Sequence, residues 1–189
     1  MSDILQAAAE LQDFCTRQQW RFCFIGGIAV QRWSEPRFTH DADLTLLTGF
    51  GGEEDYVDNL LKQFEPRSAG EREFALRNRV LRLTSSNGVP LDLALGAFPF
   101  EERSIERASP WKAREPDLCL ITCSAEDLVV HKAFAARGQD WLDVERLVTR
   151  WGRKLNVEQI WTELRPLVEL KEEPEILVKL QGIFDRCLD

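Results

Sequence analysis

Asp41 and Asp43 lie in the run Asp41-Ala42-Asp43-Leu44-Thr45-Leu46-Leu47. The alternation of an extended strand puts Asp41, Asp43 and Thr45 on one face and Ala42, Leu44 and Leu46 on the other. Two carboxylates on one strand face repel, and Asp is a poor strand former, so folding stability gives no reason to place them together. A bound divalent cation gives one. A third acid, Asp92, alternates against Leu91 and Leu93 in Val89-Pro90-Leu91-Asp92-Leu93-Ala94-Leu95 and so projects from one face of an otherwise apolar strand. Three carboxylates on neighbouring strands suit a two-metal site, in which ions about 3.5 to 4 Å apart bridge phosphate oxygens and activate an attacking oxygen. Hard oxygen ligands favour Mg²⁺ or Mn²⁺ over zinc.

Upstream, the apolar run Arg21-Phe22-Cys23-Phe24-Ile25 reads as a buried strand that stops at Gly26-Gly27. Ile28-Ala29-Val30-Gln31-Arg32-Trp33 has helical character, so the glycines stand where a strand hands over to a helix N-terminus. Free backbone N–H groups and the helix dipole can hold a phosphate there, and the missing Cβ atoms allow close approach.

Gly26-Gly27, Asp41-x-Asp43 and Asp92 together resemble the DNA polymerase β-like nucleotidyltransferase superfamily. The likeness extends to its AbiEii/AbiGii toxin-type branch, whose members carry a Lys-bearing helix followed by an Asp-x-x-Asp segment. Here these are Ser124 to Arg137, containing Lys132, and Asp140-Trp141-Leu142-Asp143. The resemblance spans roughly residues 20 to 150. His40 stands where similar proteins would carry Arg or Lys.

The resemblance implies a transferase that moves a nucleoside monophosphate from an NTP to a hydroxyl, with Mg²⁺ or Mn²⁺ as cofactor. Asp41, Asp43 and Asp92 are the expected metal ligands, and Asp92 ligates the second metal or takes the acceptor proton. Gly26 and Gly27 seat the phosphates, and Lys132 neutralises charge developing on the transferred and leaving groups. Arg79, Arg137 and Asp140 are further candidates for the nucleotide site. The toxin branch implies a toxin–antitoxin or phage-defence setting, with a tRNA 3′ end or a protein side chain as acceptor and an antitoxin protein as partner. Two other classes remain: an enzyme modifying a small molecule such as an aminoglycoside, and a noncatalytic regulator that kept the fold.

The elements that must position these groups follow from pattern. Ser124 is a good N-cap with Asp127 completing a capping box, and Gly138 is placed to end the helix after Arg137. Lys132 falls inside the apolar stripe of Ala125, Leu128, Val129 and Ala136, so it needs a partner, which is either a structural acid or a triphosphate. Asp140 can equally N-cap the next helix, with Asp143 in its first turn. The remaining order is helix 3–19, strand 21–25, helix 27–34, strand 41–48, a glycine-rich turn and helix 53–64. Strands near 73–84 and 89–95 are joined by an Asn-Gly hairpin turn. A helix at 98–107, a strand at 118–122 and four helices near 125–137, 141–151, 156–168 and 173–187 complete the chain. Asn78-Arg79-Val80-Leu81-Arg82-Leu83 reads as a strand beside the one bearing Asp92. The expected fold is α/β (α+β), a mixed twisted sheet of the nucleotidyltransferase kind with helices on one side. Residues 1–123 form the catalytic core, and 124–189 a helical C-terminal portion that contributes to the nucleotide site.

Composition bounds the alternatives. The chain has 189 residues, 44% hydrophobic and 30% charged, an ordinary globular balance. Apolar runs are too short for a membrane span, the N-terminus is unlike a basic signal peptide, and the expected location is cytoplasmic. Five cysteines without a Cys-x-x-Cys pair and two histidines give no zinc set and fit reduced thiols. A net charge of −8 argues against nonspecific nucleic-acid binding. The stretch from Arg67 to Arg114 is nevertheless basic, with nine Lys or Arg against six acids. A cleft edge built from such arginines can receive a triphosphate or an RNA end.

Overall fold

In a computed structural model the structure describes residues 3–35, 37–113 and 118–188. The chain forms two compact units, one built from residues 1–28 and 38–123 and the other from 29–37 and 124–189.

The first unit holds a seven-stranded sheet of order β3-β4-β5-β2-β1-β7-β6. Its elements are α1 (Asp3–Arg17), β1 (Phe22–Phe24), the start of α2 (Gly26–Trp33), β2 (Ala42–Leu47), α3 (Glu53–Gln63) and β3 (Glu65–Pro66). They continue with α4 (Glu71–Asn78), β4 (Val80–Thr84), β5 (Pro90–Gly96), α5 (Pro99–Glu106), β6 (Ser109–Lys112) and β7 (Cys119–Thr122). β2 runs parallel to β5 and β1 parallel to β7, while the β1/β2, β3/β4, β4/β5 and β6/β7 pairs are antiparallel. The sheet is therefore mixed, as the order of elements requires.

Period-two alternation decides what each face does. Leu44, Leu46, Leu81, Leu83, Leu91, Leu93 and Phe24 are fully enclosed on one face, packed with Leu5, Leu11 and Phe14 of α1, Val57 and Leu60 of α3 and Ala75 of α4. Burying one such leucine contributes about 1.5 to 3 kcal/mol, so this face holds the sheet together. The opposite face carries Asp43, Thr45, Asp92 and Arg82. Its far end is covered by α5: a Cβ on Gly96 would lie 3.1 Å from Thr45 Cγ2 and 3.3 Å from Glu101. Helices thus touch both faces rather than one, because α5 folds back from the end of β5.

Two local expectations are corrected. The strand foreseen from residue 73 is a helix to Asn78. Phe74 and Leu76 mimic alternation, but Gly70 in the left-handed region (φ 80°) starts a helical turn and Arg79 (φ 56°) ends it. Arg79 therefore caps α4 and lies outside β4. In addition, β6 forms from Ser109-Pro110-Trp111-Lys112, with a proline tolerated on an edge strand. The Asn-Gly turn does join β4 to β5, with Gly88 at φ 83° and Ser85 Oγ accepting from Val89 N–H at 3.0 Å.

The second unit comprises the rest of α2 with α6 (Ala125–Ala135), α7 (Gly138–Trp151), α8 (Val157–Lys171) and α9 (Glu175–Leu188). Ser124 caps α6 as its sequence implies, accepting from Asp127 N–H at 3.0 Å. The end of α6 differs from expectation. Ala136 takes the left-handed cap (φ 57°), Arg137 becomes the N-cap residue of α7, and Gly138 is already helical. Trp151 Nε1 donates to the Trp33 carbonyl at 2.6 Å, and the two rings meet edge-on at 5.6 Å. Cys15, Cys23 and Cys123 are buried and no disulfide joins the cysteines. Among the described residues no helix is long and apolar enough to cross a membrane.

Candidate active site

The parallel register of β2 and β5 sets Asp43 directly beside Asp92. Residues paired across adjacent strands share a face and lie about 5 Å apart, so the alternation that buries Leu44, Leu91 and Leu93 necessarily brings these two carboxylates together. Asp41 stands one residue before β2. Carboxylate oxygens of Asp41, Asp43 and Asp92 all come within 4.8 Å of one another, each side chain half-buried. Like charges about 4.8 Å apart repel by about 3.5 kcal/mol per ionised pair at an effective dielectric near 20, before solvent screening reduces it. Three hard oxygen donors converging at this distance fit a divalent cation, and on this geometry Asp41, Asp43 and Asp92 are the residues that would hold it.

The glycines are explained by the same acids. Gly26 has φ 53°, and a Cβ there would fall 1.9 Å from Asp43 Oδ2. At Gly27 it would fall 2.2 Å from Thr39 Oγ1. The pair is glycine because Asp43 and Thr39 press against the backbone where β1 passes into α2. Gly27 N–H points at Asp43 Oδ2 at 3.4 Å, Ile25 N–H donates to the Asp43 carbonyl at 3.0 Å, and Thr39 Oγ1 donates to Asp41 Oδ1 at 3.2 Å. The start of α2 thus leans its positive dipole end on an acid of the triad. His40, whose role the sequence left open, is exposed and meets the Phe38 ring edge-on at 4.6 Å.

The basic residues divide differently from expectation. Arg79 does not join the acids. Its guanidinium contacts Glu53 and donates to Thr48 Oγ1 at 3.1 Å and to the Gly49 and Leu95 carbonyls at 2.8 and 2.6 Å. Leu95 lies three residues beyond Asp92, about 10 Å along the strand, so Arg79 pegs the far end of the sheet. Arg82 is the strand partner of Asp92, but its guanidinium is spent on the buried Glu71, with Nε and Nη2 at 3.0 Å from the two carboxylate oxygens. Arg67, just past β3, does reach the acids. It touches the Asp92 carboxylate, donates to the Leu91 carbonyl at 3.4 Å, and its own N–H is held by the Arg82 carbonyl at 3.1 Å. Sequence alone marks Arg67 only as one of nine bases, since its partner is 25 residues away and two strands over.

In the second unit Lys132 is 5% exposed, with Nζ 2.8 Å from Asp140 Oδ1 and 3.1 Å from Asp143 Oδ2. Asp140 is within the first turn of α7 and is not its N-cap. It accepts from Arg137 Nε at 2.6 Å, and Asp143 accepts a two-pronged contact from Arg37, Nε to Oδ1 and Nη2 to Oδ2, both 2.9 Å. Burial raises the pKa of Asp140, but the bonds from Arg137 and Lys132 outweigh it and hold the carboxyl below its ordinary range. Burial likewise opposes ionisation of Asp143, and the Arg37 bonds with the Lys132 charge reverse it. The partner a buried lysine requires is therefore two carboxylates.

A glycine-flanked strand-to-helix turn and a carboxylate triad on parallel central strands of a mixed sheet define a nucleotidyltransferase. The nucleotidyl transferase AbiEii toxin family of the type IV toxin–antitoxin systems matches residues 16–185, and the chain belongs to that family. A search of curated proteins gave no match. Among solved structures the chain is similar to an antigenic nucleotidyltransferase-like protein from Paracoccidioides brasiliensis, at 16% identity and a TM-score of 0.52 over 95% of this chain and 93% of that one. It is also similar to the antibiotic-resistance factor ANT(2'')-Ia, at 13% identity and a TM-score of 0.57 over 90% and 94%. At these identities the likeness is one of fold.

Proposed function

We propose that this transferase moves a nucleoside monophosphate from an NTP to a hydroxyl acceptor, a tRNA 3′ end or a protein side chain, with Mg²⁺ or Mn²⁺ held by Asp41, Asp43 and Asp92. The observation that carries the reading is the convergence of the three carboxylates within 4.8 Å on one sheet face. Held by these three carboxylates, a divalent cation would supply Lewis-acid charge to the phosphate and make an acceptor hydroxyl more acidic. The acceptor oxygen attacks the α-phosphorus, the bond to pyrophosphate breaks, and the hydroxyl proton passes to Asp92 or to water. Gly26 and Gly27 keep the start of α2 close to the acids, where backbone N–H groups can face a phosphate. Lys132, in the second unit, serves two buried acids, and its contacts with Asp140 and Asp143 join α6 to α7.

Membership of a toxin family supports action as the toxin of a toxin–antitoxin pair inside the cell, restrained by an antitoxin partner. The test is transfer of label from each α-³²P NTP with Mg²⁺, offered in separate arms to total tRNA, to the protein itself and to an aminoglycoside. Label on tRNA or protein that disappears with EDTA and in Asp41→Asn/Asp43→Asn is the expected result. Label on the aminoglycoside alone would replace the toxin reading with a small-molecule one.

A further inference from the structure

Among the cations on the site face, Arg67 stands apart in how it is held. Arg82 is committed to a buried glutamate and Arg79 to the far end of the sheet, so both are fixed parts of the scaffold. Arg67 is about one-third exposed and, apart from Asp92, is held through its side chain only by a long contact to the Leu91 carbonyl. It touches the acid of the triad on which neither the β1–α2 turn nor the loop before β2 lays a backbone N–H or hydroxyl. Asp43 has Gly27 and Asp41 has Thr39.

We propose that Arg67 is a stand-in cation for the third carboxylate: it holds Asp92 while the triad is empty and cedes it when a divalent ion is bound, thereby setting the affinity of the site for metal. The inference rests on the metal-binding reading given above. The physics is competition for one carboxylate. A guanidinium on Asp92 lowers the repulsion among the three acids, which keeps the empty site folded, and the same contact must be broken or shared before Asp92 can serve as a ligand. Loose anchoring makes the exchange feasible, since Arg67 leaves behind no buried partner other than the one the metal takes over.

The test is calorimetric titration of Mn²⁺ alone into wild type, Arg67→Gln, Arg67→Lys, Asp92→Asn and the Arg67→Gln/Asp92→Asn double variant, with melting temperatures recorded with and without Mn²⁺. Arg67→Gln should bind Mn²⁺ roughly tenfold more tightly, the scale of losing one partly buried ion pair. It should melt lower than wild type without metal and alongside it at saturating metal. Arg67→Lys should fall between, and provides the measurement if Arg67→Gln does not fold. In the Asp92→Asn background the arginine change should leave Mn²⁺ affinity unmoved, because the competition is gone. Unchanged or weaker Mn²⁺ binding in Arg67→Gln would overturn the proposal while leaving the metal site intact. Absence of Mn²⁺ binding in wild type would instead remove the metal reading, and the proposal with it.

Discussion

Two groups of aspartates in this chain are built to opposite rules. Asp140 and Asp143 are enclosed, and every charge they carry is answered: Lys132 bridges them, Arg137 closes on one and Arg37 forks onto the other. Asp41, Asp43 and Asp92 are half-open and crowd within 4.8 Å, and a loosely held guanidinium touches Asp92. The first group resembles a structural ion cluster, in which ionised acids are kept ionised by their neighbours. The second crowds like charges on half-open side chains, an arrangement that a bound cation would relieve. The difference teaches where to look for function: carboxylates crowded on one another at a half-open face suit a ligand, whereas enclosed carboxylates bridged by a buried lysine hold a fold.

Substitutions can break or sharpen this contrast. The largest effect should come from Lys132→Met, which leaves two buried carboxylates short of a cation and should cost about 3 to 5 kcal/mol, read from urea denaturation. A loss under about 1 kcal/mol would erase the distinction between the two groups. Gly26→Ala should cost about 2 to 3 kcal/mol and abolish Mn²⁺ binding, because a Cβ at φ 53° meets Asp43 Oδ2 at 1.9 Å. Retained metal binding in that variant would show that the turn can shift without moving the acid.

Acidification should destabilise the second unit in two stages. Burial, with the Lys132 charge adding to it and Asp127 opposing, pushes the His131 imidazole down to about 4. The folded state then stays neutral there while the unfolded chain takes a proton below about pH 6.5, so stability falls between pH 6.5 and 4 by on the order of 2 kcal/mol. His131→Gln should flatten that slope. Below about pH 4 the lowered carboxyls of Asp140 and Asp143 should lose their contribution as the pH passes through their folded values. At the crowded triad the sign reverses. Asp41→Asn/Asp43→Asn should raise metal-free stability by about 1 kcal/mol in differential scanning calorimetry while abolishing transfer. An unchanged or lower melting temperature would mean that these acids stabilise the fold. The smallest expected effect is Ala136→Gly, a gain of about 0.5 to 1 kcal/mol from relieving a left-handed alanine between Lys132 and Asp140.

The acids and glycines were legible because their pattern is short-range. Asp41-x-Asp43 and Leu91-Asp92-Leu93 declare their faces by alternation alone, and Gly26-Gly27 marks the end of a strand. The reason for the glycines was not legible: they make room for Asp43 and Thr39, residues that approach only once β2 lies beside β1. Arg79 was misread because Phe74 and Leu76 alternate within a helix of weak amphipathic character, and the signal that decides it is Gly70 at the helix start. Arg67 was lost among nine bases because only the sheet order brings β3 near β5. Lys132 announced its need for a partner by sitting in an apolar stripe, yet the choice between phosphate and carboxylate depended on α7 starting at Gly138 rather than after Asp140.

The register of Asp43 against Asp92 joins residues 49 positions apart in the chain, whereas Lys132 and Asp140 are separated by eight. Local contacts close quickly, and distant strand pairing must await the ordering of everything between. The helical cluster can therefore assemble as soon as its own segment exists. The triad comes into being only when β5 docks against β2, so a chain interrupted during synthesis before Asp92 carries no assembled centre, and the capacity to act arrives with the completed sheet.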